Sequence, residues 1–398
     1  MKEKRLPNGV KALFYEQQTD SVTVEVTVKV GSNHESGDLR GISHFLEHLV
    51  FAGTKKRKDA REISNEIERL GGEINASTGN DTTHYYVKVP NNYLKTALDV
   101  LSDILLNPVF NEKDIENERK VLFDEIKMIN DDPRMYQWVL FQRACFKGVI
   151  GSPVYGSNET VKSITKKDIL DFYSKYYCSN NFHISIVGGC ENPFELVEEF
   201  FGSAKEKDIE YPIISLDVSG GNELIENKEV LQSYFIIGYP IVARGHKDSY
   251  VFEVIKGILG KGQSGRLFDE IRNKRGLAYE VGVHIEQGID YGFFAAYIGT
   301  NKSNLDKVKN LILKEFNRLA GVSVKEVKEA KTFSEGSFLL SMEDTAKRAA
   351  FINSLSVIGK EKEIENYIEN IKKVNVGDVK RVVENYFIND VSIVLQPK

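Results

Sequence analysis

The pentapeptide His44-Phe-Leu-Glu-His48 holds two imidazoles four positions apart with a carboxylate between them. On a helix, side chains four apart lie one above the other on the same face, so His44 and His48 can aim at one point. Two ring nitrogens and one carboxylate, with a fourth position left open, are the ligand set of a catalytic zinc ion that keeps a water molecule. Glu47, three after His44 and one before His48, stands near enough to take a proton from such a water as a general base. A third ligand is needed. Downstream, Glu118-Arg-Lys-Val-Leu-Phe-Asp-Glu125 lies in a strongly amphipathic helical pattern with several carboxylates one or two turns apart. Spacing leaves Glu116, Glu118 and Glu125 all open as that ligand.

These residues need elements to hold them. Leu6-Pro-Asn-Gly-Val10 is a turn signal opening a strand near 11–15, and 22–30 alternates valine with Thr, Glu and Lys as a half-buried strand does. Apolar residues at helical spacing predict helices over 41–51 and 60–70, the second ended by Gly71-Gly72. Residues 74–89 are rich in Thr, Tyr and Val and read as strand with a turn near Gly79-Asn80. Helical patterns follow over 93–106, 112–129, 135–146 and 168–177, then a strand over 182–187. A repeat is visible at an offset of 210 (378 − 168): residues 164–177 align with 374–387, sharing Asp168 with Asp378 and Tyr176 with Tyr386. A Ser-Ile-Val strand follows each copy, at Ser185 and Ser392. Between a helix ending near Phe201 and a strand starting near Val230, an irregular polar stretch with Pro212 and Gly220-Gly221 reads as a linker. The expected boundary near 215 gives domains 1–215 and 216–398, each an α/β or α+β sandwich with a largely antiparallel sheet covered by helices.

Composition narrows the classes. A chain of 398 residues exceeds the usual reach of one core, and 41% hydrophobic with 28% charged residues is ordinary for a globular protein. Net charge is −5, and the basic cluster Lys55, Lys56, Arg57, Lys58 and Arg61 is too short for a nucleic-acid face. Cys145, Cys178 and Cys190 lack paired spacing and read as inert thiols. No apolar run has the length of a secretion signal or a membrane span, so the expectation is a cytoplasmic protein with neither nucleic acid nor membrane as partner.

The inverted order His-x-x-Glu-His is the inverzincin signature. The whole chain resembles the peptidase family of pitrilysin, insulin-degrading enzyme and mitochondrial processing peptidase, in its short two-domain branch. In that family the third ligand follows the second histidine after seventy-six intervening residues, which Glu125 matches (125 − 48 = 77), and a supporting glutamate stands seven residues earlier, which Glu118 matches. The resemblance implies an α+β fold of two homologous α/β sandwich domains, like that of processing peptidases, and a zinc metalloendopeptidase. The second copy is expected to lack the metal site, because no histidine occurs between His246 and His284, so one Zn2+ per chain follows. Gly72–Thr78 resembles the family's substrate-binding edge strand, with Asn75 and Ala76 offering hydrogen bonds to a peptide. Arg272 and Tyr279 match a segment that leans over the catalytic centre, where arginine grips a substrate carbonyl and tyrosine stabilises an oxyanion. Leu259–Gly265 resembles the family's flexible glycine-rich loop. A two-domain chain is further expected to pair as a homodimer, or as a heterodimer with a related subunit. The rival expectation is a non-catalytic partner subunit; the full set His44, Glu47, His48 and Glu125 favours the enzyme.

Overall fold

Strands rich in valine, isoleucine and aromatic residues build two sheets, each inside its own compact unit. The computed structural model describes residues 1–214, 216–218 and 220–398, so the boundary expected at residue 215 lies outside the described residues. The first unit comprises Met1–Ile126, Pro153–Ile213 and Ser341–Ile364. Its sheet contains β1 (Lys2–Arg5), β2 (Lys11–Glu16), β3 (Ser21–Val28), β4 (Glu73–Thr78), β5 (Thr83–Pro90) and β6 (Phe182–Gly188), ordered β1-β2-β6-β3-β5-β4. All neighbours are antiparallel except β2 and β6. Val22, Val24, Val26 and Val28 on β3 are fully buried, with the helices Ile42–Phe51 and Leu94–Leu106 in the same unit.

The second unit comprises Lys127–Ser152, Ile214–Leu340 and Glu365–Lys398. Its strands are β7 (Glu223–Lys228), β8 (Ser233–Pro240), β9 (Ala278–Gln287), β10 (Gly292–Thr300) and β11 (Val391–Pro397), ordered β7-β11-β8-β10-β9. Here too a single pair, β7 and β11, is parallel and the rest are antiparallel. Sheet order and strand direction therefore repeat those of β2 to β6. The aligned helices Lys166–Tyr176 and Val376–Tyr386 start alike, with Thr165 and Asn375 as N-caps and Asp168 and Asp378 closing each capping box.

Two features depart from the expectation. The polar stretch before residue 230 is not all linker, since Glu223–Lys228 forms β7; its alternate exposure on a sheet edge weakens the apolar signal. The units are also not two contiguous halves. The helix Thr345–Ser356, late in the chain, packs on β3 and β6 of the first sheet, and the helix Pro133–Cys145, early in the chain, packs on β8 and β11 of the second. Ala349, Ile352 and Leu355 meet Leu13 and Val187, while Leu140, Phe141 and Cys145 meet Ile236, Phe293 and Ile393. Each sheet is thus covered on one face by a helix from the other half of the sequence.

The covered face of the first sheet is also polar. Thr23 Oγ1 and Thr345 Oγ1 lie 2.8 Å apart, Ser185 Oγ donates to the Ala349 carbonyl at 3.0 Å, and His183 Nδ1 is 2.7 Å from Ser356 Oγ. Asn353 Nδ2 donates to the Glu25 carbonyl at 3.1 Å, and the buried Glu25 carboxylate also meets Thr27 at 3.2 Å and His84 Nδ1 at 3.1 Å. Buried polar groups persist when they are paired in this way.

Candidate metal centre

The helix Ile42–Phe51 buries Ile42, Phe45, Leu46, Leu49 and Val50 and turns His44, Glu47 and His48 to its other side. Glu118 and Glu125 sit two turns apart on the helix Glu112–Asp131. Glu125 Oε2 lies 3.7 Å from His44 Nε2 and 3.5 Å from His48 Nε2, and the three ligand atoms fall within 4.8 Å of one another. Two ligand atoms about 2.1 Å from a tetrahedral zinc ion are about 3.4 Å apart, so these separations fit such an ion. Among the described residues this is the one group of three His, Cys, Asp or Glu side chains that converges so closely.

Glu118 and Glu116 take other places. Glu118 Oε2 is 3.3 Å from Nδ1 of His48, the ring nitrogen turned away from Glu125, where a carboxylate orients a ligating imidazole. Glu116 accepts from the Arg119 guanidinium at 3.1 Å. Burial works against charge on His48, but Glu118, Glu125 and Glu47 outweigh it and raise its pKa to about 9. The carboxylates around His48 therefore favour a positive charge on that ring. His44 is lowered to about 4, chiefly by burial, and Glu125 is held below the usual carboxylate range, first by its hydrogen bond with His48.

Glu47 is set beside this group. Its carboxylate accepts a hydrogen bond from the Thr78 hydroxyl, and burial pushes its pKa up. Thr78 ends β4, an edge strand paired only with β5. Asn75 on the same strand is exposed, and its Oδ1 accepts from the Ala76 amide at 2.8 Å, satisfying a donor on the strand edge. Thr78 was not visible as a site residue from sequence. The pattern that places it is the alternation of β4, which puts Ile74, Ala76 and Thr78 on one face.

Arg272 and Tyr279 lie in the second unit and are neighbours. Arg272 sits where a short helix widens into a π turn over Asp269–Asn273, donates to the Tyr279 carbonyl at 2.9 Å and lies 4.5 Å over the Tyr279 ring. The Tyr279 side chain is 76% exposed. Cys145 and Cys178 are buried, Cys190 is partly buried, and all three are free thiols. Among the described residues no helix is long and apolar enough to cross a membrane.

Two units of one repeated sheet topology, one of them carrying a His-His-Glu centre on its helices, define a two-unit α+β protein with a zinc-type site. Residues 11–155 match the model of the family described as insulinase (peptidase family M16), and 163–333 match that of the peptidase M16 inactive domain. The chain is 32% identical over 398 residues to the uncharacterized zinc protease YmxG of Bacillus subtilis (strain 168), covering 98% of this chain and 96% of that protein. It is 31% identical over 390 residues to an uncharacterized zinc protease of Rickettsia felis, covering 96% and 94%. It also resembles the crystal structure of a protease from Helicobacter pylori, with a TM-score of 0.94 and 26% identity over 100% of this chain and 99% of that one. The chain belongs to the M16 family of peptidases, in its two-domain short form.

Proposed function

We propose that this chain is a zinc metalloendopeptidase, with His44, His48 and Glu125 holding one zinc ion and Glu47 acting as general base. The observation that carries this reading is the approach of both Nε2 atoms to one oxygen of Glu125, at 3.7 and 3.5 Å, with Glu47 on the same helix. A zinc ion held there supplies Lewis acidity, making water acidic near neutral pH and polarising a carbonyl. Glu47 accepts the proton of the attacking water and returns it to the leaving amine. Its burial favours the protonated form, which brings its pKa toward the pH at which a base both accepts and donates. The Thr78 hydroxyl fixes one oxygen of Glu47.

The β4 edge takes the substrate as an added strand, the Ala76 amide exchanging its bond to Asn75 for one to the peptide. Arg272 and Tyr279 meet a substrate carbonyl and the developing oxyanion, and a pair of chains completes each centre with these residues from the partner copy. Mixing a His44→Ala chain with a Tyr279→Phe chain tests the pairing: activity recovered in the mixture supports it, and activity no higher than either variant alone counts against it. The enzyme reading itself is tested by metal analysis together with cleavage of a quenched fluorescent peptide. Bound zinc without cleavage of any peptide in a library would sink it and favour a hydrolase or lyase acting on small molecules.

A further inference from the structure

The histidine helix begins without a cap of its own. Its N-cap is Gly41, at φ 93° and with no side chain to accept from the first turn. A Cβ at this position would lie 2.6 Å from the Tyr155 carbonyl oxygen, so a serine, threonine or aspartate cap does not fit. The first amides of a helix nevertheless need acceptors. They find them in Glu35, outside the helix: one carboxylate oxygen accepts from the Gly41 amide and the other from the Ser43 amide, both at 2.8 Å. Glu35 is only 5% exposed. The Arg40 guanidinium lies 4.0 Å from it and donates to the Ser32 carbonyl at 2.7 Å.

His44 follows Ser43 directly; its Nε2 faces Glu125 and its ring meets that of His48 edge-on, but its other nitrogen has no such contact. The Nδ1 atom of His44 is buried with no hydrogen-bond partner among the described residues, whereas Nδ1 of His48 faces Glu118. A ligating imidazole is ordinarily oriented through its second nitrogen. Without that contact, the direction of His44 is set by the backbone of the first helical turn, which Glu35 holds. The loop before Glu35 is in turn fastened to the β4–β5 turn. Ser32 N donates to the Gly79 carbonyl at 3.2 Å, Asn33 N to that of Asn80 at 2.8 Å, and Asn33 Nδ2 to Asp81 at 2.8 Å. Gly79 adjoins Thr78, the partner of Glu47.

We infer that Glu35 is a positioning residue for the metal centre: its carboxylate caps the histidine helix from outside and aims His44 at the ion, in register with the β4 edge. This rests on the zinc reading above. Burial pushes the Glu35 pKa up to about 7 against the pull of the helix N-terminus, so the cap rests on the two hydrogen bonds.

The test measures zinc affinity of the full chain by competition with a chelating dye. Glu35→Gln keeps the shape but offers an amino group to one of the two amides, and is expected to weaken zinc binding about tenfold, the lower end of what loss of an outer partner costs. Glu361→Gln is the control, a buried carboxylate paired with Lys11 at 2.8 Å, and is expected to leave zinc affinity unchanged whatever it does to stability. A second measurement needs no variant: zinc should slow hydrogen exchange at the Gly41 and Ser43 amides of the unmutated protein, since coupling between cap and ion is reciprocal. Wild-type zinc affinity in Glu35→Gln, or exchange at both amides indifferent to zinc, overturns the inference alone. Failure of the unmutated chain to bind zinc overturns it together with the zinc reading.

Discussion

At the scale of the residue, the centre divides labour among four carboxylates and two imidazoles. Glu125 faces both Nε2 atoms, Glu118 backs His48, Glu47, the proposed base, stands beside them and Glu35 caps the helix. Glu47→Gln should retain zinc, because Glu47 is not among the converging ligands, yet lose turnover by about 10²-fold or more, the usual contribution of a positioned base. Metal content and peptide cleavage measured on one sample check this, and near-normal cleavage would remove Glu47 from that role. His44→Ala should lose zinc and activity together. Glu118→Gln should bind zinc roughly 10-fold to 100-fold more weakly, because Nδ1 of His48 loses its carboxylate; dye competition decides, and unchanged affinity would make Glu118 a bystander. The pair His44 and His48 was legible because helical spacing is a local rule. The choice of Glu125 over Glu116 and Glu118 was not, since residues on one amphipathic helix differ only in what faces them; family resemblance pointed to Glu125, and the folded chain gives Glu116 to Arg119.

At the scale of the element, the helix Thr345–Ser356 carries the polar seam against β3 and β6. Asn353→Ala should destabilise the protein by about 1–3 kcal/mol, because it leaves a buried carbonyl and carboxylate of Glu25 with fewer donors. Chemical denaturation would measure it, and a change within error would show the seam to be slack. His183 on β6, beneath the same helix, has its pKa lowered to about 3 by burial and then by Lys11, Lys29 and Arg5. The sign follows from proton counts. Below its ordinary value of 6.5 the unfolded chain binds a proton that the folded chain refuses, so stability present above pH 6.5 is lost as pH falls toward 3. His183→Gln should flatten that part of the stability curve, and an unaltered slope between wild type and variant would refute the assignment. Most elements of the first half were legible, since valine alternation and helical spacing act locally. β7 was not, because its alternation is spread over a polar edge.

At the scale of the whole molecule, the exchange of helices ties each unit to both halves of the sequence. Residues 1–215 alone lack Thr345–Ser356 and would bare Leu13, Val187 and Glu25. Such a fragment should show no cooperative thermal transition, and a separate peptide spanning 341–364 should restore one. A sharp, reversible transition in the fragment by itself would count against the exchanged helix as a required part of the first unit. The shared Asp168/Asp378 and Tyr176/Tyr386, by contrast, belong to each half separately and made the repeat visible in the sequence, and the structure gives each Asp its capping box.

Local periodicity and spacing thus determined by themselves the histidine helix, the place of Glu47 on it, the repeated helices and most strands of the first half, because these follow from geometry within a few residues along the chain. Tertiary structure alone decided where the late and early helices cover the sheets, that Thr78 touches Glu47, and that Glu35 closes the helix six positions downstream at Gly41. Those relations depend on contacts between distant or turned-back segments, where burial and hydrogen-bond demand, and not spacing, select the partner.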